Sequence, residues 1–145
     1  MMDATDWDMR LFELSSQGYY CGQILLLLAL EDKGESNEAL VRTMGGLSGG
    51  LGFAGKNCGA LTGGACLLAY FSEEMAGGGL SGETQVMISE FVRWFEETIG
   101  AAYGGINCDD ILAGDASRQL THCASVVRQV YEQCMTLMTG QGESA

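Results

Sequence analysis

The sequence predicts an all-α fold, a single-domain bundle of five or six helices with one Gly-rich loop. The 145 residues include no proline, and Leu, Ala, Met, Glu and Gln are frequent, which favours helices. Apolar residues recur at helical spacing along most of the chain. The length is typical of one domain, and neither a linker nor an internal repeat interrupts it. We therefore expect residues 1–145 to fold as one unit.

The first three helices are predicted from apolar patterning and capping residues. Residues 5–15 form a short amphipathic pattern that carries Trp7, Leu11, Phe12 and Leu14. A second helix is expected over 16–32. Its segment 24–30 is apolar nearly all round, which predicts the central and most buried helix. Ser36 is the expected N-cap of a third helix through Met44.

The later elements alternate with glycine-rich segments. Helices are expected over 59–71, 83–99 and 116–139, with 101–115 as a structured loop and 140–145 as a frayed tail. The apolar positions expected at helical spacing in 83–99 are Val86, Met87, Phe91, Trp94 and Phe95. The stripe expected along 116–139 is Leu120, Cys123, Val127, Val130, Cys134, Leu137 and Met138.

Charge and hydropathy limit the classes of partner. Seven basic and 19 acidic residues give a net charge of −12, which disfavours nucleic acid and anionic membranes and favours a basic protein partner. The longest apolar run, 24–30, is too short to cross a bilayer, which needs about 20 residues. The N-terminal segment has aspartates where a signal peptide has basic residues. A cytoplasmic protein is expected, and a homodimer is compatible with the sequence.

The segment 45–64 contains nine glycines and partly matches two phosphate-binding motifs. Gly50, Gly52 and Gly55 fit G-x-G-x-x-G, and Gly50, Gly55 and Lys56 fit the P-loop spacing. Both motifs require a preceding buried strand, whereas residues 38–46 have helical character. Asn57 also replaces the Ser or Thr that binds magnesium in a P-loop. The segment is therefore not interpreted as a nucleotide site.

Six cysteines in a reducing compartment favour metal or redox chemistry over disulfides. No C-x-x-C pair is present, so zinc-knuckle and thioredoxin signatures are absent. Cys123 and Cys134 would lie about 16 Å apart on one helix, and Cys58 and Cys66 about 12 Å apart. At most one of each pair can join a compact site, together with Cys21 and Cys108.

Local context favours one member of each pair. Cys58 precedes a helix whose free amides and dipole stabilise a thiolate. Cys66 has the surroundings of an ordinary buried cysteine, and Cys123 follows closely after Cys108. Cys134 is then interpreted as core. The residues alone leave open both a four-cysteine metal site and a set of plain buried thiols.

The arrangement of these residues resembles the redox-active protein family named for its C-GCAxxG-C-C motif. The resemblance rests on one early cysteine, the glycine stretch leading into NCGALTG, INCDDILAGD and a cysteine in the last helix, over about residues 18–135. A similar region forms the iron–sulfur part of split-Soret cytochromes c. The resemblance implies a [2Fe–2S] cluster on Cys21, Cys58, Cys108 and Cys123. Asn57 and Gly59 depart from the Gly and Ala that flank the motif's cysteine.

The resulting interpretation is a cluster-binding protein that acts in electron transfer with a redox partner, more an electron carrier than a catalyst. On this interpretation, loop glycines let backbone amides approach the cluster. Tight helix contact is the alternative role for these glycines. Two other functions are kept, a thiol–disulfide protein that uses Cys58 as a low-pKa nucleophile and a structural zinc module. His122 is expected at the surface or its boundary, Glu73 and Glu74 on a solvated face, and Asp109 and Asp110 at a docking edge.

Overall fold

The structure, a computed structural model, describes residues 4–72, 76–115, 117–118 and 121–140. Within these ranges the chain forms seven α-helices and no β-strand. The helices are α1 Ala4–Ser16, α2 Cys21–Lys33, α3 Glu38–Met44, α4 Gly59–Tyr70, α5 Gly82–Phe95, α6 Cys108–Leu112 and α7 His122–Gly140. The all-α prediction is confirmed. The helix count exceeds six because the predicted loop 101–115 contains α6.

Three regions between these helices are also locally helical. Helix α5 continues through a π-helical turn, Glu96–Gly100, and three further helical residues, Ala101–Tyr103. Short 3-10 turns lie at Gly45–Leu47 and Ala76–Gly78. The predictions for Leu120, for Glu73 and Glu74, and for the tail after Gly140 lie outside the described residues.

Three predicted helix starts are wrong, and side-chain caps decide two of them. Helix α7 begins at His122 rather than at residue 116. Helix α2 begins at Cys21 rather than Ser16, where the Tyr20 N–H donates to Gln23 Oε1 at 3.2 Å. Helix α3 is capped by Asn37 rather than Ser36, and Asn37 Oδ1 accepts from the Leu40 N–H at 3.1 Å. Such caps satisfy amides that have no partner within the helix. The cap at α2 places Cys21 on its first turn.

Helix α2 lies at the centre of the fold, as its apolar sequence predicted. Leu25, Leu26 and Ala29 are completely buried. Helix α4 crosses α2 at glycines, and a Cβ on Gly63 would lie 2.6 Å from the Gly22 Cα. No side chain fits between the two backbones there, so the helices pack closer than larger residues allow. Among the described residues, no helix combines the length and the apolar character that crossing a bilayer demands.

Two side chains assigned to apolar faces point to solvent instead. Phe12 of α1 is 65% exposed and Val86 of α5 is 58% exposed. Their helices otherwise bury the predicted faces, including Trp7 on α1 and Phe91 on α5. Both residues lie at the margin of an apolar stripe, where periodicity alone does not decide burial.

Candidate functional site

Four cysteines from four helix starts line one cavity of about 160 Å³. Cys21 is the first residue of α2, Cys58 is the N-cap of α4, Cys108 is the first residue of α6, and Cys123 is the second residue of α7. These are the four cysteines that sequence analysis selected. The chain thus brings together thiols that are up to 102 positions apart, from Cys21 to Cys123.

The other two cysteines lie elsewhere. Cys134 is completely buried in the core, where its Sγ lies 3.9 Å from the Gly64 carbonyl oxygen. Its interpretation as core is confirmed. Cys66 is exposed on α4, so its interpretation as a buried cysteine is wrong. It lies on the side of α4 that turns away from the helices packed against it.

Backbone pairing holds Cys58 next to Cys108. Asn57 and Asn107 form an isolated antiparallel bridge. The Cys58 N–H donates to the Ile106 carbonyl at 2.9 Å, and the Cys108 N–H donates to the Lys56 carbonyl at 2.6 Å. Each cysteine directly follows a bridge residue, so both chains turn into helices at the cavity. This pairing is not indicated by the sequence, because neither segment has a strand-like pattern.

The glycine loop forms the wall of the cavity beside this bridge. The Gly55 N–H donates to the Gly49 carbonyl and the Lys56 N–H to the Gly50 carbonyl, both at 3.1 Å. Gly50 and Gly55 have φ of 78° and 77°. A Cβ on Gly50 would overlap the Lys56 backbone, and one on Gly55 would overlap the Asp109 side chain. These glycines serve tight turns, whereas those of α4 serve helix contact.

The elements that precede the glycine loop differ from those of a phosphate-binding motif. Helix α3 and the 3-10 turn Gly45–Leu47 precede the loop, and no strand lies in the described residues before it. The geometry that gives either phosphate motif its meaning is therefore missing there.

His122 joins the start of α7 to the end of α6. Its Nδ1 donates to the Ile111 carbonyl at 2.8 Å, and its ring lies 5.1 Å from that of Tyr103. The residue is half-buried, which agrees with the predicted boundary position. This contact, which holds the turn carrying Cys123 against the helix carrying Cys108, is not indicated by the sequence.

Two aromatic residues cover the cavity from outside. Tyr20 and Phe53 both line it, and their rings meet edge to face with centroids 5.0 Å apart. Phe53 is 62% exposed and has φ of 62°, a left-handed conformation that is uncommon for a residue with a side chain. The cavity thus lies directly beneath an exposed aromatic ring.

The thiols interact electrostatically with one another. A hydrogen bond to Cys123 and burial raise the pKa of Cys21 well above its ordinary value. The same bond lowers the pKa of Cys123, whose sulfur accepts it. Burial, Cys123 and Asp109 together raise the pKa of Cys108. Each thiolate thus makes the next harder to form, and a bound cation would reverse this balance.

Cys58 shows two opposing effects. The backbone amides of Ala60 and Leu61 donate to its sulfur and lower its pKa, as expected at a helix start. Burial is the larger effect and raises the pKa of Cys58 to about 11. The expectation of a low-pKa nucleophile at Cys58 is therefore wrong for the protein in this state.

The four thiols line one cavity but do not surround a single point. In the part of the chain that the structure describes, no three His, Cys, Asp or Glu side chains are arranged to hold one metal ion. A two-iron cluster needs only two thiolates at each iron, and cysteine thiolates are its usual ligands. Four thiols distributed around one cavity fit that requirement.

Comparison with known proteins identifies the family of the chain. A family model described as "Putative redox-active protein (C_GCAxxG_C_C)" matches residues 19–137, which include all six cysteines. The chain belongs to this family. The family model covers most of the chain, and the family is described as redox-active. A search of curated proteins found no match. A search of solved structures found none either.

Proposed function

We propose that Cys21, Cys58, Cys108 and Cys123 bind a [2Fe–2S] cluster and that the protein transfers single electrons. The observation that carries the proposal is the convergence of these four thiols on one cavity of about 160 Å³. A bound cluster of this kind supplies one-electron oxidation and reduction. The cysteines would hold its irons, and the surrounding backbone would orient the cysteines.

The four cysteines lie at helix starts, where negative charge on a thiolate is stabilised. The amides of the first turn and the positive end of the helix dipole favour an anion. Helices α2, α4 and α7 have 13, 12 and 19 residues, long enough for this effect to add to the local amides. The amides of Ala60 and Leu61 already donate to the Cys58 sulfur. This support matters in a chain of net charge −12.

The two alternative functions have less support at these residues. A nucleophilic Cys58 requires a lowered pKa, and its pKa is raised to about 11. A structural zinc ion requires four ligands around one point, and no such group lies among the described residues.

We expect the redox partner to be a protein with a basic docking face, in the cytoplasm. The acidic net charge favours fast association with such a partner at low ionic strength. Phe53 and Asp109 lie at the cavity and are exposed, which gives the docking face an apolar contact and a negative charge next to the thiols. Asp110 serves the fold instead, because its Oδ2 accepts from the Asn107 N–H at 3.0 Å. Sedimentation would show whether two chains pair.

Anaerobic purification and metal analysis test the cluster directly. We expect about two iron and two sulfide per chain and a red-brown visible spectrum. Serine at Cys21, Cys58, Cys108 or Cys123 should remove or change that spectrum. Cys66→Ser and Cys134→Ser are the matched controls, since these cysteines lie outside the cavity. Full iron and an unchanged spectrum in Cys58→Ser would contradict the proposal.

A further inference from the structure

A groove of about 540 Å³ lies between α1, α7 and the start of α2. Its volume is typical of a small-molecule site, for which the range is about 300–1,000 Å³. Cys21 and Cys123 line both this groove and the smaller cavity, so the two spaces adjoin. The cluster proposed above has no use for the larger space, which leaves the groove open to a ligand of its own.

One side of α1 forms an apolar wall of the groove. Asp8, Leu11, Phe12 and Ser15 all line it, and their spacing of three and four residues places them on one side of the helix. Leu11 is buried, whereas Phe12 is 65% exposed. Ile24 of α2 is buried and lines the same groove. A ligand side chain that packs against this wall would cover the Phe12 ring, and the apolar area removed from water would favour binding.

The groove also carries one group of each charge. Among the described residues that line it, the cation is Arg128 of α7 and the carboxylate is Asp8 of α1. Arg128 is half-buried, and Asp8 is exposed. The ion pairs in the described part of the chain involve Arg10 and Arg118, so Arg128 and Asp8 pair neither with each other nor with another charged side chain there. Both groups are therefore available to a ligand.

These charges indicate the class of the ligand. A guanidinium binds a carboxylate through two parallel hydrogen bonds, and a carboxylate accepts hydrogen bonds from an ammonium group. The net charge of −12 repels a small anion at long range but exerts no net force on a zwitterion. A zwitterion with an apolar side chain would use Arg128, Asp8 and the apolar wall together.

We propose that this groove binds a free amino acid that has an aromatic or large aliphatic side chain. Arg128 binds its carboxylate, and Asp8 binds its ammonium group. Leu11, Phe12 and Ile24 contact its side chain. No covalent bond changes on binding, and no thiol takes part. Because binding in the groove is measured without reference to iron, this proposal and that of the cluster can fail separately.

Calorimetric titration of the full chain with phenylalanine and its fragments tests the class of the ligand. Phenylpropionate lacks the ammonium group, phenethylamine lacks the carboxylate, and glycine lacks the side chain. We expect phenylalanine to bind, and each of the three fragments to bind about tenfold more weakly or worse, since each loses one set of contacts. Absence of phenylalanine binding at millimolar concentration, or equal affinity for any of the fragments, would overturn the proposal.

Two charge variants test which residue binds which group of the ligand. Arg128→Gln should weaken the binding of phenylalanine and phenylpropionate about tenfold, without weakening that of phenethylamine. Asp8→Asn should weaken the binding of phenylalanine and phenethylamine several-fold, without weakening that of phenylpropionate. Arg93→Gln is the matched control for the lost positive charge, because Arg93 is exposed on α5 and does not line the groove. Unchanged phenylalanine affinity in Arg128→Gln or Asp8→Asn, or an equal loss in Arg93→Gln, would contradict the assignment.

Discussion

The two halves of the cysteine site are built by different forces. Cys58 and Cys108 are held by directional hydrogen bonds, in which their own amides donate to Ile106 and Lys56. Cys21 and Cys123 are held by the starts of α2 and α7, whose positions depend on packing in the core. We call these the loop half and the helix half of the site. Both halves present thiols to one cavity, yet they should fail under different changes.

Glycine has a different role in each half. In the loop half it gives the left-handed backbone that closes the turn at Gly50 and Gly55. In the helix half it removes the side chain that would separate α2 from α4, at Gly22 and Gly63. Adding one methyl group therefore changes a local turn in one half and the distance between two central helices in the other.

The largest effect is expected from Gly63→Ala in the helix half. The added Cβ would lie 2.6 Å from the Gly22 Cα, a backbone atom in the middle of the helix crossing. The helices must separate, at a cost of about 3 kcal/mol in the free energy of unfolding. Urea denaturation measures this. Gly82→Ala is the control, because its Cβ meets open space at the start of α5. Equal stability of the two variants would contradict the close crossing.

A smaller and more local effect is expected from Gly55→Ala in the loop half. Its φ of 77° and the Asp109 side chain both oppose a Cβ, at a cost of about 2 kcal/mol. Circular dichroism should show unchanged helix content, while iron bound per chain falls. Gly52→Ala is the control, because Gly52 has a similar φ of 63° but a Cβ there would meet open space. Asp109→Ala added to Gly55→Ala should restore part of the loss, and no restoration would exclude the overlap as its cause.

Cys134→Ala tests the core beneath the helix half and has a pH signature. Its completely buried thiol should contribute about 1.5 kcal/mol to stability at pH 7. Burial raises the pKa of Cys134 to about 12, so the folded protein holds this proton more tightly than the unfolded chain does. The stability gained by keeping this thiol protonated in the core is fully present below about pH 8.5 and is lost as the pH rises toward 12.

Denaturation at several pH values measures this signature. The stability difference between the unchanged chain and Cys134→Ala should shrink above about pH 8.5, by up to about 1.4 kcal/mol per pH unit, and should change sign well before pH 12. Cys66→Ala should change stability little at pH 7, because Cys66 is exposed. A difference that grows with pH would show that the Cys134 thiol ionises readily in the folded protein.

The smallest effect is expected at the contact that joins the two halves. His122→Phe keeps a ring beside Tyr103 but removes the Nδ1–H donor to the Ile111 carbonyl. One lost hydrogen bond costs about 1 kcal/mol. The visible spectrum should shift without loss of iron, because Cys123 turns slightly relative to Cys108. An unchanged spectrum and stability would show that the bond does not position Cys123.

Local patterning explains which parts of the fold were predictable. The apolar face of α5 and the apolar run of α2 are encoded within one or two helical turns, so the helices were found from sequence. The start of α2 was missed by five residues, because a side chain three residues along, Gln23, caps it. A glutamine at that spacing was the available signal. Helix α6 was missed because its five residues show no periodicity.

The sequence by itself determined the donors, the charge and the helical class. Spacing on a single helix is fixed by its rise, so the chain could show that Cys58 and Cys66, or Cys123 and Cys134, do not share a site. Which of each pair faces the cavity was indicated by neighbours within a turn, and the burial of Cys66 was predicted wrongly. Whether an isolated cysteine is covered depends on helices that are distant in sequence.

Only the tertiary structure decided how the thiols meet. The Asn57–Asn107 bridge, the His122 contact with Ile111 and the cavity lined by the four cysteines each join residues from separate parts of the chain. The tertiary structure also decided the pKa of Cys58. The amides that lower this pKa are local in sequence, whereas the burial that raises it comes from the packed fold. Desolvation depends on every element around a group, and no short stretch of sequence encodes it.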